Sequence, residues 1–282
     1  MRKTGILASW IIAIAIISSG LAAQNPKPDE IISKHLDAIG TKEMRDALKT
    51  LMAVGSSEFE SKLPTIKGGG KALVTSNTGN LMFLMSLNSK EYPFEKVGYF
   101  SDKINLPYTT AGARSPLGAF IAEHGKILTD GLFSGSMSLR WALLDPDKRK
   151  AKITSGGTKK INGRKVYVLE YFPSNGGSSE FSIRLYFDIE TFNHVRSEYI
   201  HEINPKEDTF GTLGRQGGTR LILTEDFSDY RIVDGFTLPY SYKVDYSTNS
   251  NQGVYEYKWG FKVTQYYPNQ KLAPDFFTFD TK

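Results

Sequence analysis

The sequence has no cysteine among its 282 residues. That excludes disulfides, thiolate metal sites and a lipid attached to a cysteine behind a leader. Histidine is scarce: His35, His124, His194 and His201 are all there are. Neither His-Glu-x-x-His nor Gly-x-Ser-x-Gly occurs. Charge of one sign is lacking too, with 35 basic against 30 acidic residues. That balance argues against a dedicated nucleic-acid binder. Long apolar runs are limited to residues 5–17, so nothing later in the chain is long and apolar enough to form a spanning helix.

The apolar run follows Met1, Arg2 and Lys3 and precedes the small residues of 18–23, the pattern of a secretory signal peptide. Cleavage is expected after Ala22 or Ala23, leaving 33 basic and 30 acidic residues and a formal charge of +3. The expected location is therefore exported and periplasmic, soluble and without a lipid anchor. Residues 24–282 are expected to form one domain. With no disulfides, it needs a real core, and its length can supply one.

Pro28, Asp29 and Glu30 suit a helix start, and Ile32, Leu36 and Ile39 repeat at helical spacing up to Gly40. Thr41 caps a second short helix with Met44, Ala47 and Leu48 on its buried side. From Leu51 short apolar runs separated by turn residues predict strands near 51–61, 69–76, 80–87 and 94–101. Gly68-Gly69-Gly70-Lys71 lacks the context of a phosphate loop and reads as a turn. Residues 103–150 break the pattern. Ser115 and Pro116 start a helix that Gly125 ends, and glycines then alternate with large apolar groups. This segment is either a hinged lid over a groove or an irregular insertion packed on one end of the sheet. Strands resume at 151–155, at 164–172 after the turn Asn162-Gly163, at 180–188, 194–203 and 219–227. Residues 204–218 are a polar, glycine-rich connection.

The most strongly patterned stretch is 236–263. Phe236, Leu238, Tyr240, Tyr242, Val244 and Tyr246 alternate with polar residues, and so do Tyr255, Tyr257, Trp259, Phe261 and Val263. Paired as a hairpin, they make one apolar face. Its eight aromatics bury ~1,600 Å², a gross transfer free energy of ~40 kcal/mol. Three helices of ~16, ~12 and ~14 Å would cover only about two strands of such a sheet. A sheet this wide curls. The fold class is therefore α+β, mainly antiparallel β: a curled, incomplete β-barrel of about ten strands with short helices as plug or lid. A filled barrel or a sandwich is the alternative.

The order of parts then resembles a known group: an exported chain, an N-terminal helix pair, a long meander broken by a helical segment, then Asp229-Tyr230-Arg231-x-x-Asp234-Gly235-x-x-x-Pro239 and a terminal Asn269-x-x-Leu272-x-x-x-Phe276. It is similar to the LolA/LolB-like superfamily of periplasmic lipoprotein carriers, which includes the sensor RseB. The resemblance implies an incomplete barrel with a helical lid and an apolar cavity for acyl chains. It implies no catalytic residues.

The residue patterns favour no enzyme. Glu225 and Asp226 point to opposite strand faces and make a poor acid/base pair. Glu198 and Glu202 share a face that His201 leaves, so the three do not converge on a metal, and a solvated strand face is expected there. No cofactor is implied. The expected function is a carrier or binder of lipids or lipid-modified proteins. Its groove would be lined by Phe181, Ile183, Leu185, Phe187, Phe236, Leu238, Tyr240, Tyr242, Tyr255, Tyr257, Trp259 and Phe261, under a lid carrying Leu117, Phe120, Leu132, Phe133 and Trp141. The partners would be lipid or lipoprotein acyl chains. The alternative is an envelope interaction or sensor protein with a sealed core and a protein partner.

Overall fold

The computed structural model describes residues 26–174, 181–203, 218–250, 253–273 and 275–279. The leader expected at 1–23 and nearly all of the polar connection at 204–218 lie outside the described residues. No described helix is long and apolar enough to cross a membrane.

One twelve-stranded antiparallel sheet forms the body: β1 (Leu51–Lys62), β2 (Thr65–Ser76), β3 (Leu81–Ser86), β4 (Phe94–Phe100), β5 (Lys103–Asn105), β6 (Lys152–Ile161), β7 (Arg164–Phe172), β8 (Phe181–Asp188), β9 (His194–Ile203), β10 (Thr219–Val233), β11 (Phe236–Ser250) and β12 (Gly253–Pro268). The spatial order is 5-4-3-2-1-12-11-10-9-8-7-6. Every neighbour but one is a sequence neighbour, and the pairing of β1 with β12 joins two meanders at the centre. The two edges, β5 and β6, do not pair, so the sheet stays an open half-barrel. Edges of this kind invite association. β5 is only three residues long, and β6 carries a bulge between Ser155 and Thr158 and the charges Lys152, Lys159 and Lys160.

The aromatic hairpin is longer than its pattern suggested. β11 and β12 run on to a Ser250–Gly253 pair. Where β1 partners Gly55 with Val263 and Val54 with Gln265, Thr264 is extra, so the inward phase moves from Val263 to Tyr266. The turns Asn162-Gly163 and Asp234-Gly235 place both residues at positive φ, as a twist-matched two-residue hairpin requires. Gly68-Gly69-Gly70 is no turn. It lies inside β2, where the chain after β3 crosses close by. A Cβ on Gly68 would meet the Leu87 carbonyl oxygen at 2.3 Å, and Gly69 N–H donates to that oxygen at 2.7 Å.

Helices α1 (Pro28–Ile39) and α2 (Lys42–Ala47) precede the sheet. The buried face of α1 is Ile31, Ile32 and His35, while Leu36 and Ile39 are half-buried. In α2, Ala47 is exposed rather than buried, because the six-residue helix ends before it turns that side inward; Leu48 takes the buried place. On the convex side the C-terminal Phe277 and Phe279 pack with Met82 against Leu73, Leu84 and Phe100.

Residues 106–151 leave β5 at one edge and return to β6 at the other, so the segment must bridge the open side of the half-barrel. It contains α3 (Pro116–Glu123), α4 (Lys126–Thr129), two 3-10 turns and α5 (Pro146–Arg149). Ser115 caps α3, accepting from Gly118 N–H at 2.8 Å. Within 127–143 only Thr129 and Leu139 are not buried. The expectation that helices would leave most of the apolar face uncovered fails here. The count considered only regular helices, whereas the irregular stretch 130–143 fills the concavity.

Candidate functional site

The structure brings most of the sequence-predicted groove together, but as a filled core. Ile183, Leu185, Phe187, Phe236, Leu238, Tyr242, Trp259 and Phe261 are at most 7% exposed. They share one cluster with Leu117, Phe120, Leu132, Phe133 and Trp141, each at most 2% exposed. Phe181, Tyr240 and Tyr257 pack at its margin. Tyr255 is half-buried outside it. Rings interlock across the sheet–insert boundary: Phe83 meets Phe133 edge-on at 5.3 Å, and Phe120 meets Tyr246 at 5.3 Å.

Buried polar anchors hold the insert there. Glu225 projects inward from β10 with no exposure. Its Oε1 accepts from Ser134 N–H at 2.7 Å and from the Tyr242 hydroxyl at 2.5 Å, and its Oε2 accepts from the Tyr199 hydroxyl at 2.7 Å. Glu95 on β4 accepts from Ser115 Oγ at 2.8 Å and from the Tyr92 hydroxyl, which itself accepts from Trp259 Nε1 at 3.2 Å. Loss of water pushes both carboxyls up to about 7, against their hydrogen-bond donors. His35 is wedged between two partners: Nδ1 lies 2.9 Å from the Phe192 carbonyl oxygen, and Nε2 lies 2.9 Å from Trp141 Nε1. Indole can only donate, so His35 is neutral with its proton on Nδ1. Burial pulls it down to about 4. The Tyr171 hydroxyl donates to Asp130 Oδ2 at 3.1 Å, and Leu139 N–H donates to Ser76 Oγ at 2.9 Å.

Inside the insert the chain doubles back on itself. Gly131 has φ +78°, and a Cβ there would sit 1.8 Å from the Arg140 carbonyl oxygen. Gly131→Ala is expected to destabilise by about 2 kcal/mol and to expose the insert. Denaturation and limited proteolysis would show it, as cleavage within 103–150 that the parent resists.

The opening that remains lies at one end. A cleft of about 620 Å³ sits between α1, α2, the 136–149 stretch and the start of β11. Its floor is Leu36, Ile39, Leu139, Trp141, Leu144, Phe236 and Leu238. Its rim carries Lys42, Arg45, Lys49, Lys148 and Arg149 against Asp46 and Asp145. Lys42 pairs with Asp46 at 2.5 Å, and Arg45 donates to the Leu36 carbonyl at 2.6 Å. Lys49 and Lys148 form no ion pair among the described residues. Of the sequence-predicted site only Trp141, Phe236 and Leu238 line this cleft. Its other walls come from segments far apart in the chain, and the helical spacing that marked Leu36, Ile39 and Leu48 gave no sign that they meet there. A second cleft, of about 700 Å³, is lined largely by polar turn residues around Arg164, Asp188 and Asp229.

At the other end of β11, His124 and His201 face each other, Nε2 to Nδ1, at 3.1 Å, and Glu123 Oε1 lies 3.6 Å from the same Nδ1. His201 is 9% exposed and points inward, whereas Glu198 pairs outside with Arg184 and Tyr186. The expectation of a solvated strand face is therefore wrong for His201, because the insert covers it. Burial, with His201 alongside, holds His124 down at about 4. Asp226 also turns outward, where Arg196 donates to both its oxygens at 2.7 and 2.8 Å, so Glu225 and Asp226 do not act together.

No family model matches the sequence, and no curated protein matches it. Solved structures do. The chain is similar to a LolA superfamily protein from Nitrosomonas europaea, at 12% identity and TM-score 0.50, over 90% of this chain and 98% of that one. It is also similar to a DUF1329 family protein from Desulfovibrio piger, at 11% identity and TM-score 0.40, over 89% and 96%. An open antiparallel half-barrel bridged by a helical segment, superposing on the first of these over nearly its whole length, gives this chain a LolA-like fold.

Proposed function

We propose that the protein is an exported envelope binder of amphipathic acyl-chain ligands, with residues 24–282 acting as one unit and no enzymatic step. The observation that carries this reading is the 620 Å³ cleft with an apolar floor and a cationic rim. Its volume falls in the range of small-molecule sites, ~300–1,000 Å³. A tail would lie on Leu36, Leu139, Leu144 and Phe236. An anionic head would meet Lys49 and Lys148, whose charges are not neutralised by an ion pair within the described residues. Affinity would come from apolar area and charge-assisted hydrogen bonds. The non-enzymatic reading rests on the two carboxyls with raised pKa. Both are fully buried, and their oxygens are taken by tyrosine, serine and backbone donors. Such perturbation accompanies structural networks as well as catalysis.

The test is native mass spectrometry of protein purified from a periplasm without detergent, followed by solvent extraction and titration with palmitate. A co-purified lipid or stoichiometric uptake is expected. Lys148→Glu changes an exposed rim position and is expected to weaken uptake by about tenfold or more while the thermal midpoint holds. A bare apo mass with no uptake overturns the reading. The filled concavity then favours the second one, a sealed half-barrel that presents the same cationic rim to an acidic protein partner.

A further inference from the structure

We propose that Glu123, His124 and His201 form a binding site for a divalent transition-metal ion, Zn²⁺ being the best match, which clamps the insert to the sheet. One potential ligand atom from each residue lies within 4.8 Å of the other two. Zn²⁺ holds histidine nitrogen at ~2.0–2.1 Å and carboxylate oxygen at ~2.0–2.2 Å, usually with tetrahedral geometry. Two such ligands are then about 3.3 Å apart. The observed separations of 3.1 Å between the imidazoles and 3.6 Å from His201 to Glu123 bracket that value. A small shift of each group would admit an ion.

The rings are already held in place. His124 stacks flat on Phe181, with centroids 4.1 Å apart and planes 1° from parallel. His201 stands at 88° to both rings, with its Nδ1 facing His124 Nε2. Glu123 is 54% exposed at its side chain, which leaves it free to swing onto an ion and keeps a path to solvent. Three protein ligands leave a fourth position for water or for a donor from a partner. The ligand set, two imidazoles and a carboxylate, suits Zn²⁺ better than Mg²⁺ or Ca²⁺, which prefer all-oxygen shells.

The placement gives the ion a mechanical consequence. Glu123 ends α3 and His124 follows it, while His201 lies 77 residues later on β9. An ion there joins the plug to the wall at the end of the half-barrel opposite the 620 Å³ cleft. The site is independent of the acyl-ligand reading, and either can fail alone.

The experiment is calorimetric titration of untagged, EDTA-treated mature protein with Zn²⁺, with Co²⁺ absorption as a second readout. One Zn²⁺ per chain is expected, with a Kd of about 10 μM or tighter. The thermal midpoint should rise by about 5 °C at saturation. His201→Gln and His124→Gln are each expected to weaken binding by about 30-fold or more, and Glu123→Gln by about tenfold. Because Glu123 is exposed, its variant keeps the fold and serves even where a histidine variant does not. Co²⁺ should give the strong visible bands of a four-coordinate nitrogen–oxygen site, and these should be lost in Glu123→Gln. No binding up to about 1 mM overturns the proposal, and so does binding that survives all three substitutions unchanged.

Discussion

Glu225→Ala is expected to destabilise the protein by about 4 kcal/mol, read from urea or thermal denaturation. The carboxylate is fully buried and accepts from three inward donors: the hydroxyls of Tyr199 and Tyr242 and the N–H of Ser134. Each buried donor left without a partner costs ~1–3 kcal/mol, and the lost side chain leaves a cavity as well. Glu198→Ala is the control. Glu198 also accepts from a tyrosine and lies beside an arginine, but on the wetter outer face, so about 1 kcal/mol is expected. Equal losses at the two positions would show that Glu225 anchors nothing special. The defect should also reach the insert, because Ser134 belongs to it. Protease sensitivity within 103–150 should rise in Glu225→Ala and not in Glu198→Ala.

Stability is expected to peak near pH 6–7 and to fall on both sides, for reasons of opposite sign. Burial raises Glu95 and Glu225 from 4.5 to about 7. Between those values the native state holds protons that the unfolded chain has released. Their contribution is therefore complete below pH 4.5 and is lost as pH rises through 7. A shift of this size amounts to roughly 3 kcal/mol for each group. His35 is lowered from 6.5 to about 4, and His194 falls well below 6.5. The contribution of His35 is complete above pH 6.5 and is lost as pH falls through 4. Protonating His35 would also aim an N–H at the Trp141 N–H that now donates to it. Measured from pH 5 to 8.5, the double variant Glu95→Gln, Glu225→Gln should lose most of the alkaline decline. Because His35, His124 and His194 pull the other way between pH 4.5 and 6.5, the carboxyls are read from the difference between the parent and this double variant. A difference that stays constant from pH 5.5 to 8.5 would mean that both carboxyls are ionised in the native state without cost. Since Glu95 holds Ser115 and Glu225 holds Ser134, the alkaline limb should be accompanied by loosening of the insert before the sheet unfolds.

The residue pattern was a good guide wherever structure is decided locally. Alternation from Phe236 to Val263 marked the central hairpin, and Asn162-Gly163 marked a tight turn. Ser115 and Pro116 marked the start of α3. It misled where a distant backbone intervened. Gly68-Gly69-Gly70 looks like a turn because glycine usually supplies one, but here it lets residues 86–88 pack against a strand. The bulge at Thr264 shifted the inward phase in a way that strict alternation cannot show. Eight of the twelve expected groove residues are buried in the apolar core, legible because burial leaves a period-two trace, whereas Phe181, Tyr240 and Tyr257 lie at its margin and Tyr255 outside it. What covers that face left no such trace. The stretch 130–143 has neither helical nor strand periodicity, yet it is the plug.

The sequence by itself determined the antiparallel meander and its inward apolar face, because those follow from the φ/ψ preferences and side-chain alternation of neighbouring residues. Only the tertiary structure decided that the concavity is filled, that the remaining cleft lies at the α1–α2 end, and that Glu123, His124 and His201 meet. Each of these depends on residues tens to hundreds of positions apart, placed together because the segment between β5 and β6 must cross the mouth of a sheet whose edges do not close.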